Sequence, residues 1–178
     1  MKKICFTVTN DLNYDQRMIR ICSTLSAAGY QVVLIGRTKK NSPPLVSRNF
    51  KQKRLNCFWE KGKLFYVEYN VRLFFYLLFT YFDAVCSIDL DSILSGYWAA
   101  TFKRKIKIYD AHEFFTEVPE VVKRPTVQKA WEWIGRQTIP KYTYCYTVCD
   151  SLKEVFRAKY QVDFELPYFE SCFEWMKG

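Results

Sequence analysis

The hydrophobic pattern divides the chain into short apolar runs that alternate with segments of helical periodicity. The short runs are rich in strand-forming residues and read KICFTVTN, QVVLIG, DAVCSID, KIKIYDA and YTYCYTV. Continuous apolar runs of this length are typical of strands buried on both faces of a parallel sheet. They therefore predict a sheet whose strands are mostly parallel.

The first helical segment follows KICFTVTN. Its apolar face is formed by Met18, Ile21, Cys22, Leu25 and Ala28, which recur at helical intervals. Asn13 or Asp11 is predicted to cap the start of this helix. Gly29 suits the left-handed residue that follows a helix end. A strand, a helix and a second strand within this length predict a βαβ unit with a right-handed crossover.

The rest of the chain continues the alternation. Helices are predicted at 71–82, 91–102, 126–140 and over LKEVFRAKY, the last capped by Asp150 and Ser151. The segment FKQKRLNCFWEKGKLFYVEY is predicted to form two strands around a turn at 60–63, and VDFEL to form a short last strand. The pattern predicts a three-layer, Rossmann-like α/β fold, with one domain over residues 1–178.

Three polar clusters directly follow predicted strands. They read TNDLNYDQR, DLDS and DAHEFFTEVPE. Because the carboxyl ends of parallel strands meet at one edge of a sheet, these clusters are expected to line one cleft. Neither a G-x-G-x-x-G fingerprint nor a Walker A sequence is present, so a classical dinucleotide or P-loop site is not predicted.

Most of the net charge of +9 lies in one segment, residues 37–63, which holds nine Lys and Arg residues against one Glu. Such a patch suits an anionic membrane surface, a phosphorylated ligand or nucleic acid, and it equally suits a solvated lysine-rich edge. Only Phe50, Phe58 and Trp59 lie among these charges. Nucleic-acid binding by base stacking is therefore not expected.

The seven cysteines show no CxxC spacing, and His112 is the only histidine, so no metal site is expected. The amino terminus lacks the long apolar stretch of a signal peptide, and residues 71–82 are too short to cross a membrane. We therefore expect a reducing, cytoplasmic location, with the membrane's inner face as one candidate surface.

Three stretches resemble one protein family. YDQRMIRICSTLSAAGYQVVLIGR, the longer stretch SIDLDSILSGYWAATFKRKIKIYDAHEFFTEVPEVVKRP and YTVCDSLKEVF are similar, in this order, to the amino-terminal domains of glycosyltransferase-4-like enzymes. The resemblance spans nearly the whole chain and is least specific over residues 37–63. It rests on the ordered set of motifs, since Asp-x-His-Glu alone is a weak signal.

The resemblance implies the acceptor-side half of a GT-B glycosyltransferase. Such enzymes transfer sugar from a nucleotide-sugar co-substrate to an acceptor, usually with retention and without a bound metal or other cofactor. A bacterial surface glycan on a lipid-linked acceptor is the expected product. The carboxyl-terminal donor domain is absent from this sequence, so the chain alone is expected to be inactive. A non-catalytic module that binds a phosphorylated ligand is the alternative.

Candidate site residues come from the three polar clusters. His112 is the predicted catalytic group, with Asp110 or another neighbouring carboxylate fixing its tautomer. The predicted acceptor contacts are Asp89, Asp91, Glu113 and Glu117, and the predicted donor-phosphate or cleft residues are Asn10, Asp15 and Arg17. Alternative structural roles are helix capping for Asp89 and Asp91, and an ion pair between Arg17 and Asp15.

Overall fold

Six parallel strands form a single sheet in the computed structural model, which describes residues 1–166. The strands are β1 Lys3–Thr7, β2 Gln31–Arg37, β3 Lys51–Leu55, β4 Ala84–Ile88, β5 Ile106–Ala111 and β6 Tyr144–Thr147. Their order across the sheet is β3-β2-β1-β4-β5-β6, and every pairing is parallel. The predicted Rossmann-like fold is therefore confirmed.

Helices cover both faces of the sheet. They are α1 Gln16–Ala27, α2 Gly62–Phe79, α3 Ile93–Lys103, α4 Pro119–Val122, α5 Pro125–Thr138 and α6 Asp150–Tyr160. Short 3-10 turns occupy Leu90–Ser92, Phe115–Glu117 and Ile139–Lys141. Side chains of β1 alternate between the layers, since Phe6 packs with α1 whereas Cys5 packs with α2 and α3. The three predicted layers are thus present.

The hairpin predicted for residues 50–69 is wrong. Only Lys51–Leu55 forms a strand, which pairs with β2 in parallel, and α2 begins at Gly62 instead of a turn. Its buried face consists of Phe65, Tyr69, Leu73 and Leu77. The prediction failed for two reasons. Aromatic residues are common in strands, so this aromatic-rich segment was taken for strands. In addition, α2 is apolar around much of its circumference, so its helical periodicity is weak.

The predicted cap of α1 is also wrong. Asp15 caps the helix, because its carboxylate accepts a hydrogen bond from the backbone N–H of Met18 at 3.1 Å. Asp11 is buried instead beside Arg54, whose guanidinium donates to it at 2.5 Å. Gly29 follows α1 with a φ of +92°, so the predicted left-handed residue is confirmed.

The described part of the chain ends beside β6. Of the predicted strand VDFEL, only Glu165 pairs with the sheet, opposite Tyr146. The prediction of one domain over residues 1–178 includes 167–178, which lie outside the described residues. Within residues 1–166, none of the helices combines the length and apolarity that crossing a bilayer requires.

Candidate active site

The candidate site lies at the carboxyl edge of the sheet, between its two central strands. The chain passes from β1 to β2 on one side, whereas it passes from β4 to β5 on the other. This divergence leaves a crevice at the carboxyl ends of β1 and β4, the usual ligand position in open parallel sheets. The segments that follow β1, β4 and β5 meet at this crevice.

A fully buried carboxylate, Asp110, organises the residues around His112. One oxygen of Asp110 lies 2.9 Å from Nε2 of His112, and the other accepts from the guanidinium of Arg17 at 3.2 Å. Because an ionised carboxylate can only accept, Nε2 carries the hydrogen of this bond. The His112 side chain keeps 21% of its surface exposed, so Nδ1 is the ring nitrogen left for a ligand.

Asp89 joins this cluster through the backbone. Its carboxylate accepts the backbone N–H of His112 at 2.8 Å, and its own N–H donates to the carbonyl of Asp110 at 2.8 Å. One carboxylate oxygen lies 3.9 Å from Nδ1 of His112. Asp89 adopts φ 53° and ψ 177°, a region almost reserved for glycine, and such strain concentrates at functional sites.

Asp91 is fixed from two sides of the crevice. Its carboxylate accepts a hydrogen bond from the hydroxyl of Thr9, beyond the end of β1. Its backbone carbonyl accepts from the side-chain amide of Asn70 on α2 at 2.8 Å. The oxygen of the Asn70 amide accepts the N–H of Ser95 at 3.3 Å, which ties α2 to the start of α3. Asp91 therefore sits where both central strands and α2 meet.

A buried hydroxyl pair joins the two central strands beneath these carboxylates. The hydroxyls of Thr7 and Ser92 lie 3.0 Å apart, and that of Ser92 also lies within hydrogen-bonding distance of the carbonyls of Thr7 and Ile88. The contact holds the 3-10 turn at Leu90–Ser92 against β1. It fixes the height of Asp91 above the sheet.

Burial shifts the proton equilibria of the cluster. It raises the pKa of Asp89 to about 7 and that of Asp91 to about 6. Burial alone would lower the pKa of His112, but the hydrogen bond and charge of Asp110, with the charge of Asp89, raise it overall. Two carboxyl groups thus exchange protons near neutral pH beside an imidazole that favours its charged form.

The remaining predicted site residues lie around or outside this cluster. Asn10 is exposed, and its carbonyl accepts from the backbone N–H of Arg37 at 3.3 Å. Glu113 is exposed, yet close enough for its charge to raise the pKa of Asp91. Glu117 lies farther along the loop, 3.3 Å from the amide of Gln128 and 3.9 Å from the ammonium of Lys159.

Two of the structural alternatives are wrong. Arg17 forms its ion pair with Asp110 instead of Asp15, which is occupied by capping α1. Neither Asp89 nor Asp91 caps a helix with its side chain: the 3-10 turn after Asp89 and the helix after Ser92 both lack a side-chain cap. Instead, the carboxylate of Asp89 accepts from the backbone N–H of His112, and that of Asp91 accepts from the hydroxyl of Thr9.

Sequence reasoning missed Thr9, Ser92 and Asn70. Thr9 and Ser92 occur inside two of the polar clusters, so their positions after strands were a usable signal. Asn70 had no such signal, because it lies between the segment mistaken for a hairpin, residues 50–69, and the helix predicted at 71–82. Its importance follows only from the packing of α2 beside the start of α3.

The basic segment is partly internal. Arg54 pairs with buried Asp11, and Arg37 donates to the carbonyl of Glu60 at 2.8 Å and covers the ring of Phe65. Lys51 and Lys53, in contrast, are exposed on the edge strand β3. The segment therefore offers fewer free charges to a membrane or ligand than its composition predicts.

Chemically, the cluster can position one imidazole nitrogen and two carboxylates around a polar ligand. Hydroxyl groups of a sugar match such acceptors and donors. Among residues 1–166, there is no group of at least three His, Cys, Asp or Glu side chains that could hold a metal ion.

Comparison with known proteins reveals similarity at the level of the fold. No protein-family model matches the sequence, and no curated protein matches it significantly. Among solved structures, the sucrose-phosphate synthase of Thermosynechococcus elongatus aligns with a TM-score of 0.65 and 12% identity, over 92% of this chain and 47% of that one.

Two further structures extend this similarity. The lipopolysaccharide outer core galactosyltransferase WaaB aligns with a TM-score of 0.58 and 15% identity, over 92% of this chain and 44% of that one. A UDP-N-acetylglucosamine 2-epimerase aligns with a TM-score of 0.51 and 11% identity, over 86% and 43%. The chain spans less than half the length of each, and it shares with them a Rossmann-like α/β fold with a parallel sheet.

Proposed function

We propose that this chain is the acceptor-side domain of a GT-B glycosyltransferase that uses a nucleotide-sugar donor. The observation that carries the proposal is the Asp110-oriented imidazole of His112, together with Asp89 and Asp91, at the crevice between β1 and β4. The fold similarity to a synthase of a sugar phosphate and to a galactosyltransferase supports the same reaction class. The ordered motifs of the sequence support it independently.

In the proposed reaction, Nδ1 of His112 binds a hydroxyl group of the reacting sugar. Asp110 holds the ring by its other nitrogen and keeps it from rotating, while Arg17 neutralises the buried carboxylate. Asp89 and Asp91 accept hydrogen bonds from sugar or acceptor hydroxyls. Since their pKa values lie near neutrality, either can bind or release a proton when the ligand alters its surroundings.

The finer assignments follow the resemblance of the sequence to glycosyltransferase-4-like enzymes. They are transfer with retention, a donor domain beyond this chain, and a lipid-linked acceptor in bacterial surface-glycan synthesis at the membrane's inner face. The nucleotide sugar acts as co-substrate, and we assign exposed Asn10, in the segment after β1, to a donor phosphate. The alternative is a non-catalytic module that binds a phosphorylated ligand in the same crevice.

The test uses the protein expressed from its complete gene. Release of nucleoside diphosphate is measured from uridine, guanosine and adenosine diphosphate sugars, with and without lipid-linked acceptors. Transfer that depends on acceptor is expected for one donor. His112→Ala should lower turnover on the order of 10²-fold, the scale of a positioned acid–base or hydrogen-bonding group.

Glu154→Ala is the matched control, because Glu154 is exposed on α6, away from the crevice. It should leave turnover unchanged. Full activity in folded His112→Ala would remove His112 from the reaction. Ligand binding without turnover of any donor would establish the non-catalytic module instead, and conversion of the donor sugar without acceptor would identify an epimerase.

A further inference from the structure

A second concave surface lies outside the crevice, between α2, α3 and α5. This groove has a volume of about 860 Å³, which is within the size range of small-molecule sites. Along α2 its lining extends from Gly62 to Phe75, a length of about 20 Å at 1.5 Å per helical residue. The groove is therefore long enough for an extended chain.

The groove is lined mainly by apolar and aromatic side chains. Several of them are exposed to a degree unusual for such residues, namely Val67, Val71, Phe75, Trp98 and Phe102. A contiguous apolar surface of this kind on a folded domain normally marks a binding site. The shape of the groove restricts the kind of molecule that fits it. A long groove between three helices accommodates an extended chain better than it accommodates the flat surface of another protein.

One end of the groove is positively charged. Lys63 and Arg124 line it, in the first turn of α2 and at the N-cap of α5. Neither helix has a capping side chain or an acidic residue in its first turn, although both features are usual at the positive end of a helix. Among residues 1–166, neither cation forms a salt bridge, so both charges remain for a ligand.

The charged end is also close to the candidate active site. Tyr66, Asn70 and Ser95 line the groove, and Asn70 donates to the carbonyl of Asp91 at 2.8 Å. Because α2, α3 and α5 run opposite to the strands, their amino ends lie at the carboxyl edge of the sheet. A molecule in the groove would thus present its charged end beside the crevice.

We propose that the groove binds the hydrocarbon chain of a single lipid phosphate, with the phosphate held between Lys63 and Arg124. A cationic end and an apolar channel match the two parts of such a molecule. The same surface of a second copy would offer these cations no anionic group, since no acidic side chain lines the groove. The role of this lipid as a substrate rests on the proposed function, in which the lipid would carry the acceptor sugar to the crevice.

Calorimetric titration of the chain with farnesyl phosphate, below its micelle concentration, tests the proposal. We expect a dissociation constant on the order of 10 μM, at least tenfold weaker binding of farnesol, and no binding of inorganic phosphate. Lys63→Ala with Arg124→Ala should weaken farnesyl phosphate about tenfold and leave farnesol unchanged.

Two groove variants and one control separate this site from general lipid contact. Val71→Glu places a charge in the groove, and Ala130→Trp fills it, and both positions are exposed enough to tolerate substitution. Each should abolish binding. Phe79 lies on the same helix outside the groove and is 83% exposed. The Phe79→Glu variant should therefore bind farnesyl phosphate normally.

Equal loss in Phe79→Glu would show bilayer-like or micellar contact and overturn the proposal. So would normal binding by folded Val71→Glu and Ala130→Trp, or a dimer that dissociates in these variants without any lipid binding. The assay needs no sugar donor. Absent binding with intact glycosyl transfer would therefore refute the groove alone, whereas binding without transfer would refute the proposed function alone.

Discussion

Asp110 has no exposed surface, yet two basic side chains share its carboxylate. A buried charge that loses a partner is strongly destabilising, because its lost hydration is no longer compensated. If Arg17 were replaced, His112 would remain as the second partner of Asp110, and Arg17 is itself one-third exposed. The loss of stability should therefore be smaller than for a fully buried ion pair.

Arg17→Met should therefore lower the free energy of unfolding by about 2 kcal/mol, measured by urea denaturation at pH 7. Adding Asp110→Asn to Arg17→Met should restore most of this loss, since no uncompensated charge is left. If the losses of the two single variants simply added, Arg17 and Asp110 would not be coupled as their geometry requires.

Asp89 gives the domain a specific pH dependence. Its pKa of about 7 in the folded protein lies above its ordinary value near 3.8, because the carboxyl group is buried. The folded state therefore binds the proton more tightly than the unfolded state, and stability falls as pH rises from about 4 to about 7. His112 acts in the same direction, since the stability from its raised pKa is lost as pH rises through that pKa.

Asp89→Asn should flatten this dependence and raise the free energy of unfolding at pH 8 by about 1 kcal/mol. The asparagine oxygen can still accept the N–H of His112, so the backbone contact survives. Thermal unfolding at pH 5 and pH 8 measures the effect. Asp163→Asn, at an exposed position, should leave the pH profile as it is, and an unchanged profile in Asp89→Asn would contradict the assigned cause.

Part of this cluster could be predicted from sequence, and the reason is local. Asp110 and His112 are two residues apart at a strand end, so both side chains point to the same side of the strand. The partner Arg17 is 93 residues away in sequence, and the spacing of residues does not reveal such a pair. The nearby Asp15 was therefore the natural but incorrect partner.

At the scale of elements, α3 approaches β4 unusually closely at Gly96. A Cβ atom at this position would overlap the hydroxyl oxygen of buried Ser87 and come within 3.3 Å of the hydroxyl of Tyr142. The helix therefore depends on glycine for its distance from the sheet. This distance also sets the position of the turn that carries Asp91.

Gly96→Ala should lower the free energy of unfolding by about 2 kcal/mol, the usual cost of overpacking a close contact. Thr101→Ala, at an exposed position on α3, is the control and should change it by less than about 0.5 kcal/mol. Urea denaturation compares the two. Wild-type stability in Gly96→Ala would mean that Ser87 and α3 can move apart freely.

The edge strand β3 separates two kinds of basic residue. Lys51 and Lys53 are exposed, whereas Arg54 is paired with buried Asp11. If this edge faces anionic lipid, Lys51→Glu with Lys53→Glu should abolish the preference of the chain for acidic over neutral vesicles, and salt should weaken that preference in the wild type. Vesicle sedimentation measures both effects.

Arg54→Glu should act differently, because it places two carboxylates together in a buried pair. We expect a loss of about 3 kcal/mol in the free energy of unfolding, whereas the two lysine substitutions should leave stability nearly unchanged. Equal wild-type binding to both vesicle types would make the exposed lysines a solubility feature.

Strands were easier to predict than the segment between β2 and β4. Short apolar runs correctly indicated every strand of the buried sheet centre, since those residues have no solvent face. α2 was mispredicted because the groove leaves it apolar on its outer side as well. A helix that is apolar on its outer side as well as its buried side loses the amphipathic pattern by which helices are recognised.

At the scale of the whole molecule, the residues clustered around His112 lie at one edge of one sheet. In the proposed function a second domain holds most of the donor, so this chain alone provides a few hydrogen bonds in an open crevice. Each is worth only about 1 kcal/mol net. The 178-residue chain should therefore bind nucleotide sugars no more tightly than about 1 mM.

Calorimetry with uridine, guanosine and adenosine diphosphate sugars measures this affinity. Micromolar binding of any donor would show that the chain holds a complete donor site, and the two-domain arrangement would be wrong. The overall fold was predictable because strand and helix alternation leaves few topologies. The proposal of a second domain, in contrast, rests on the resemblance of the sequence to a family. The geometry of one sheet edge does not specify which domain or ligand lies opposite that edge.

The strand order also has a consequence for biosynthesis. β1 sits at the centre of the sheet, between β2 and β4, but its partner β4 is completed only at Ile88, about 50 residues after β2 ends at Arg37. At 5–20 residues per second, a ribosome needs roughly 3–10 s to supply that partner. During this interval one edge of β1, with unpaired backbone N–H and C=O groups between apolar side chains, stays open to other nascent chains. Early engagement by a chaperone should therefore matter more to the yield of this protein than its final stability.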